Sequence, residues 1–188
     1  MKTVLSVLFV WVISTTPLQN KLAYEEYIPA SYRAKFAEKV IAISERLKIH
    51  PDWLMVSMAF ETGRTFRPNI RNRYSGATGL IQFIPSTAAN LGTSVNALGR
   101  MSAVDQLDYV ETYFRPYAGK MHSVHDVYLV IFAPAFLGCP DNQIVYSSFA
   151  RTELGRRRYQ YNRGLDLNRN GRITIWEVKQ NIAKHVPK

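Results

Sequence analysis

The chain reads as a mainly α protein with at most a minor β element. Three observations carry this: apolar residues recur at helical spacing after residue 30, cap and stop residues bracket those runs, and no succession of alternating strands appears. Its 188 residues, 47% hydrophobic and 20% charged, suffice for one domain with a substantial core. That composition excludes a disordered or fibrous protein.

The N-terminus carries Lys2 and then an apolar run from Val4 to Ile13, broken by Ser6. The run is short for a membrane span and has the length of a signal-peptide core. Residues 1–23 are therefore expected to form an export signal or an N-terminal apolar segment, with the folded domain over 24–188. Lys21 sits where a cleavage site wants a small residue, so an uncleaved anchor or a first core helix competes with that reading.

Phe36, Val40, Ile43 and Leu47 mark one face of a helix starting near Ser31. His50-Pro51 opens a second helix, with Leu54, Met58 and Glu61 on one face and Gly63 as its C-terminal stop. Residues 64–79 hold Pro68, Asn69, Asn72, Ser75, Gly76 and Gly79 and predict a loop or short hairpin. Pro85-Ser86-Thr87-Ala88-Ala89 starts another helix, stopped at Gly92. Ser102 caps a helix through Asp105, followed by Val104, Leu107 and Val110 at helical spacing. Residues 124–133 form an apolar helix ended by Pro134, and Ile173 to Val186 predict a C-terminal one.

The 24 Lys and Arg against 14 Asp and Glu give a net charge of +10, which draws a protein to polyanions such as nucleic acid, anionic lipid or an anionic cell wall. The basic residues are scattered, and the densest run, Arg156-Arg157-Arg158, predicts a solvated face. No nucleic-acid reading motif is present, so no nucleic acid partner is expected. A lone Cys139 excludes an intrachain disulfide, and Gly138-Cys139-Pro140-Asp141 lacks a nucleophile signature. His122-x-x-His125-Asp126 lacks a third ligand at zinc spacing.

Glu61 is the first candidate for chemistry. An acid on an apolar helix face, at the mouth of a loop, loses hydration, so its pKa is expected to rise from ~4.3 toward ~6. A carboxyl still protonated near neutrality can donate to a glycosidic oxygen. The competing reading is a helix-terminal Glu paired with Arg64.

A second motif is independent. Asp166-Leu167-Asn168-Arg169-Asn170-Gly171-Arg172-Ile173-Thr174-Ile175-Trp176-Glu177 fits an EF-hand loop, with side-chain oxygens of Asp166, Asn168, Asn170, Thr174 and Glu177 and the backbone carbonyl of Arg172 as ligands. A structural calcium ion is expected. Two charged ligands beside Arg169 and Arg172 predict modest affinity, and a loop that keeps the shape without holding metal is the alternative.

Phe60-Glu61-Thr62-Gly63, then Ser75-Gly76-Ala77-Thr78-Gly79-Leu80-Ile81-Gln82-Phe83, then Pro85-Ser86-Thr87-Ala88 resembles the lytic transglycosylases of the soluble-lytic, goose-lysozyme-like group. Gly79-Leu80-Ile81-Gln82 stands for that family's Gly-Leu-Met-Gln. The resemblance covers residues 50–92 closely. Tyr161-Asn162-Arg163-Gly164-Leu165 extends it toward phage-associated members, over most of 50–180.

The resemblance implies a lysozyme-like fold and a peptidoglycan substrate, cleaved by one acid–base residue, Glu61. That residue would act without a second carboxylate and leave a 1,6-anhydro ring on the muramic sugar. It implies that Ser75 orients Glu61 and that Gln82 contacts an N-acetyl group, with Gly76 and Gly79 letting the backbone approach a sugar. The family's Ala-Tyr-Asn is missing. Tyr128 or Phe132 would replace its aromatic wall, and Phe132 is the better candidate for core packing. An exported or virion-borne monomer acting on glycan strands follows as the expectation.

The alternatives are a hydrolytic muramidase of the same fold and a non-catalytic wall-binding or virion protein. Hydrolysis would need a second acid. Asp105, Asp108, Glu111 and Asp126 are the nearest in sequence, and no motif recommends any of them.

Overall fold

The computed structural model describes residues 21–187. Within them lie eight α-helices and a two-stranded antiparallel sheet: α1 (Arg33–Leu47), α2 (Pro51–Glu61), α3 (Pro85–Asn90), α4 (Val95–Leu98), α5 (Ala103–Phe114), α6 (Val124–Phe132), β1 (Ile144–Ser147), α7 (Glu153–Asn162), β2 (Arg172–Thr174) and α8 (Ile175–Ala183). The mainly α class with a minor β element is the one expected.

Helix starts follow cap chemistry. The His50 ring accepts from the Asp52 amide at 3.3 Å ahead of Pro51, and Ser102 and Ser123 accept from the Asp105 and Asp126 amides. On α1 the buried residues include Phe36, Val40, Ile43 and Leu47, the face read from spacing. α2 departs from the one-face reading: Leu54 through Ala59 are all buried, because it runs through the middle of the molecule.

Two apolar clusters flank that central helix. The larger joins α1, α2, α5 and part of α6 around Phe36, Leu54, Met58, Leu80, Leu107 and Phe114. The smaller joins Val56, Tyr128, Leu129, Ile173, Ile175, Val178 and Ile182, from α2, α6, β2 and α8. α2 and α6 contribute to both, so they fix one cluster against the other.

Two expectations are corrected. The C-terminal helix begins at Ile175, because residues 172–174 pair with β1 as β2, in the register Ile144–Thr174, Tyr146–Ile173 and Ser147–Arg172. The domain reaches ahead of residue 24: Leu22 is buried in the larger cluster and the Ala23 amide donates to Asp52 Oδ1 at 2.8 Å. α7 is an element that periodicity does not signal, since it has no fully buried residue. The apolar run from Val4 to Ile13 lies outside the described residues, and no described helix is long and apolar enough to cross a membrane.

Candidate active site

α2 delivers Glu61 as its last residue, just before a strained turn. Gly63, Arg64 and Phe66 have φ of +58°, +64° and +48°, and Phe66 is fully buried there. A bulky residue in this region costs of order 1–3 kcal/mol, a strain typical of functional sites. Thr62 holds the turn: its hydroxyl donates to the Met58 carbonyl at 2.7 Å and accepts from the Phe66 amide at 3.1 Å.

Glu61 opens into a surface cleft of about 1370 Å³, shared with Ser75 and Gln82. Burial pushes its carboxyl up from an ordinary 4.5 to about 7, higher than the sequence suggests. No hydrogen bond or ion pair reaches the carboxyl among the described residues. The pairing with Arg64 does not form: that guanidinium stacks over Tyr24, 5.1 Å from the ring centroid.

The loop carrying Ser75 and Gln82 is a small hairpin. Thr78 and Phe83 exchange backbone hydrogen bonds of 3.0 and 2.9 Å, so Gly79-Leu80-Ile81-Gln82 is its tip. Gln82 adopts φ +50°, and its amide nitrogen donates to the carbonyls of Gly79 (3.1 Å) and Ile70 (3.4 Å). Its amide N–H groups therefore close the loop, leaving the side-chain oxygen for a ligand. Ser75 Oγ accepts from the Ala77 amide at 3.2 Å. The expected Ser75–Glu61 hydrogen bond is absent among the described residues, and the serine O–H remains uncommitted.

Gly79 has a different role from the one expected. At φ +87° its missing Cβ makes room for the side chain of Gln106, which a Cβ would meet at 2.2 Å. Gln106, on α5 and fully buried, accepts from the Leu80 amide at 2.6 Å and donates to the carbonyls of Leu98 (2.9 Å) and Pro68 (3.1 Å). One side chain thus clamps the hairpin tip to the core. Sequence reasoning passed over Gln106, and its polar position on the buried stripe with Leu107 and Val110 was the available signal.

The aromatic wall is also reassigned. Tyr128 is 3% exposed, packed edge-to-face on Phe60 (5.1 Å) and stacked on Phe132 (6.0 Å), and it does not line the cleft. Phe132 does, with Tyr113 and Tyr146. Tyr113 is fixed by donating its hydroxyl to the Val130 carbonyl at 2.7 Å. Burial, with Glu61 adding to it, raises the phenol pKa of Tyr128.

Among the described residues lining the cleft, Glu61 is the sole carboxyl. The four acids that the sequence offers as a second carboxylate are committed elsewhere. Asp105 accepts from Ser102, Asp108 pairs with Lys39 at 2.8 Å, Glu111 takes Arg46 in two bonds of 2.7 and 2.8 Å, and Asp126 caps the His122 amide.

The 166–177 loop sits beside the cleft. Asp166 and Glu177 are buried at 7% and 1% exposure. Asp166 accepts from the Asn170 and Gly171 amides and from Tyr159 (2.7 Å), and Glu177 from the Leu167 amide and from the amide and hydroxyl of Thr174. Burial works to raise the Asp166 pKa, but the Tyr159 hydroxyl and the loop amides outweigh it, so its carboxyl stays below the ordinary range. Glu177 also closes a capping box with Thr174 at the start of α8.

No group of three or more His, Cys, Asp and Glu gathers among the described residues, His122 and His125 included. A cation at this loop would rest on two carboxylates plus the Asn168, Asn170 and Thr174 side-chain oxygens and the Arg172 carbonyl. That donor set suits a hard, oxygen-loving ion.

No family model, curated protein or solved structure matches this chain.

Proposed function

We propose that this chain is a peptidoglycan-degrading lytic transglycosylase of lysozyme-like fold, cleaving the β-1,4 bond between N-acetylmuramic acid and N-acetylglucosamine. The observation that carries the reading is a desolvated carboxyl, with a pKa of about 7, alone in a cleft free of other acids among the described residues. A carboxyl with a pKa of about 7 is still substantially protonated near neutral pH, so Glu61 can give its proton to the glycosidic oxygen as the C1–O4 bond breaks. The resulting carboxylate takes the proton of the C6 hydroxyl as O6 bonds to C1. The anhydro sugar forms, Glu61 regains its proton, and no water is consumed.

A single acid suffices for that sequence, whereas the usual hydrolytic pair needs a second carboxylate within about 5–10 Å. Gln82 and the Ser75 hydroxyl offer polar contacts to the sugar, and Phe132, Tyr113 and Tyr146 an apolar wall. We further assign to the 166–177 loop a structural calcium ion, held by Asp166, Asn168, Asn170, Thr174, Glu177 and the Arg172 carbonyl. It would brace the loop and supply no chemistry to the cleavage. A cell-wall substrate requires delivery to the envelope, by export or in a virion.

The test is digestion of purified sacculi by wild type and Glu61→Gln, with mass spectrometry of the fragments. The variant should keep the wild-type circular dichroism and lose roughly 10²–10⁴-fold in activity. Anhydro-muramic ends support transglycosylation and reducing ends a muramidase. Wild-type rates from Glu61→Gln would exclude both.

A further inference from the structure

The Arg156-Arg157-Arg158 run divides into three fates. Arg156 donates to the carbonyls of Ala150 and Arg151, at 2.7 and 3.0 Å. Arg157 pairs with Glu153 at 2.6 Å. Arg158 has no side-chain hydrogen bond or ion pair among the described residues, and it lines the cleft. Arg163, just past the end of α7, is in the same condition and on the same wall.

These two are the basic side chains of the cleft lining, and Glu61 is the one acid there among the described residues. α7 places no fully buried residue in either core, and only its half-buried Tyr159 packs against the smaller one. It is nonetheless held in place. It packs on β1, Gly155 lies so close to Ala150 that a Cβ would approach to 2.6 Å, and Tyr159 bonds Asp166. Tyr161 on this helix leaves its ring 81% exposed at the cleft. A polar helix fixed against the domain, presenting two unneutralised guanidinium groups and a bare ring to a groove, has the character of a recognition wall.

Resting on the function proposed above, we infer that Arg158 and Arg163 read the carboxylates of the peptide stem on the muramic sugar. On a stem-bearing strand the lactyl carboxyl of the muramic sugar is tied up in the amide that attaches the stem, so the anionic groups are on the stems. Guanidinium groups pair with carboxylates in a planar two-point geometry that neutral hydroxyls cannot match. Strands whose stems carry free carboxylates are then the preferred substrate, and strands whose stem carboxylates are amidated the poorer one.

The test compares kcat/KM on two preparations of the same stem-bearing glycan, one with its stem carboxylates free and one with them converted to primary amides. Wild type should favour the strands with free stem carboxylates by roughly tenfold at low salt, the effect of one or two partly screened ion pairs. High salt should shrink the ratio. Arg158→Gln combined with Arg163→Gln should bring it close to one, and Arg158→Lys with Arg163→Lys should retain much of it.

A wild-type ratio of one, or an unchanged ratio in the glutamine pair, overturns this inference while leaving the transglycosylase reading intact. Failure of the wild type to cut either preparation overturns both.

Discussion

Glu61 keeps its proton because its carboxyl has lost water and gained no cation. Burial is the cause of its rise to about 7, and the sign of the stability effect follows. The folded value lies above the unfolded one of 4.5, so between those values the native state binds more protons than the unfolded chain. Stability is complete below pH 4.5 and falls as pH climbs to about 7. Glu61→Gln lacks this linkage. Chemical denaturation of both proteins at pH 4.5 and pH 8 should therefore show wild type losing about 3 kcal/mol relative to the variant across the window. Activity should fall on the alkaline side with an apparent pKa near 7. A flat stability difference would mean that the carboxyl is hydrated and its pKa ordinary. Glu61 itself was legible before the fold, because an acid on an apolar stripe at a helix end implies desolvation. Its lack of a partner was not, since Arg64 stands three residues away and its turn toward Tyr24 depends on the left-handed backbone at Gly63 and Arg64.

At the scale of elements, the hairpin tip and the 166–177 loop are both held by buried side chains satisfying backbone groups. Gln106→Ala leaves the Leu80 amide and the Leu98 and Pro68 carbonyls without their partner. It should cost roughly 2–4 kcal/mol by denaturant unfolding. Gly79→Ala should cost a similar amount, by intrusion on Gln106 and by strain at φ +87°. A loss below about 0.5 kcal/mol in both would show that the tip is not clamped. The calcium loop is tested by melting in calcium and in chelator. Calcium should raise the Tm, by up to about 2.7 kcal/mol of stabilisation at a hundredfold excess over Kd, and Glu177→Gln should abolish the rise. No response in wild type would leave a loop closed by its own hydrogen bonds. The loop's ligand spacing is visible in the sequence because each position is fixed by backbone geometry. α7 is not visible, because a helix whose one core contact is the half-buried Tyr159 has no apolar period, and β1 is four residues paired with a distant partner. The exchange of Tyr128 and Phe132 has the same origin. Both lie on one apolar helix, and which ring meets solvent is decided by the smaller core packed against α6.

At the scale of the whole molecule, two cores share α2 and α6, and Glu61 emerges at the end of α2. The net charge of +10 acts at longer range than any contact in the cleft. A basic surface should hold the protein to an anionic wall between cleavage events, an attraction that weakens as salt shortens the screening length to about 3 Å at 1 M. Glu61→Gln separates binding from digestion, since it leaves the surface charge almost untouched. The expected outcome is co-sedimentation of this variant with sacculi at low salt, with the bound fraction falling several-fold as sodium chloride approaches 1 M. Salt-insensitive binding would assign wall attachment to the cleft and its neutral contacts. An absence of binding at low salt would count against a wall substrate, because a chain this basic facing an anionic polymer has long-range attraction before any specific contact is made.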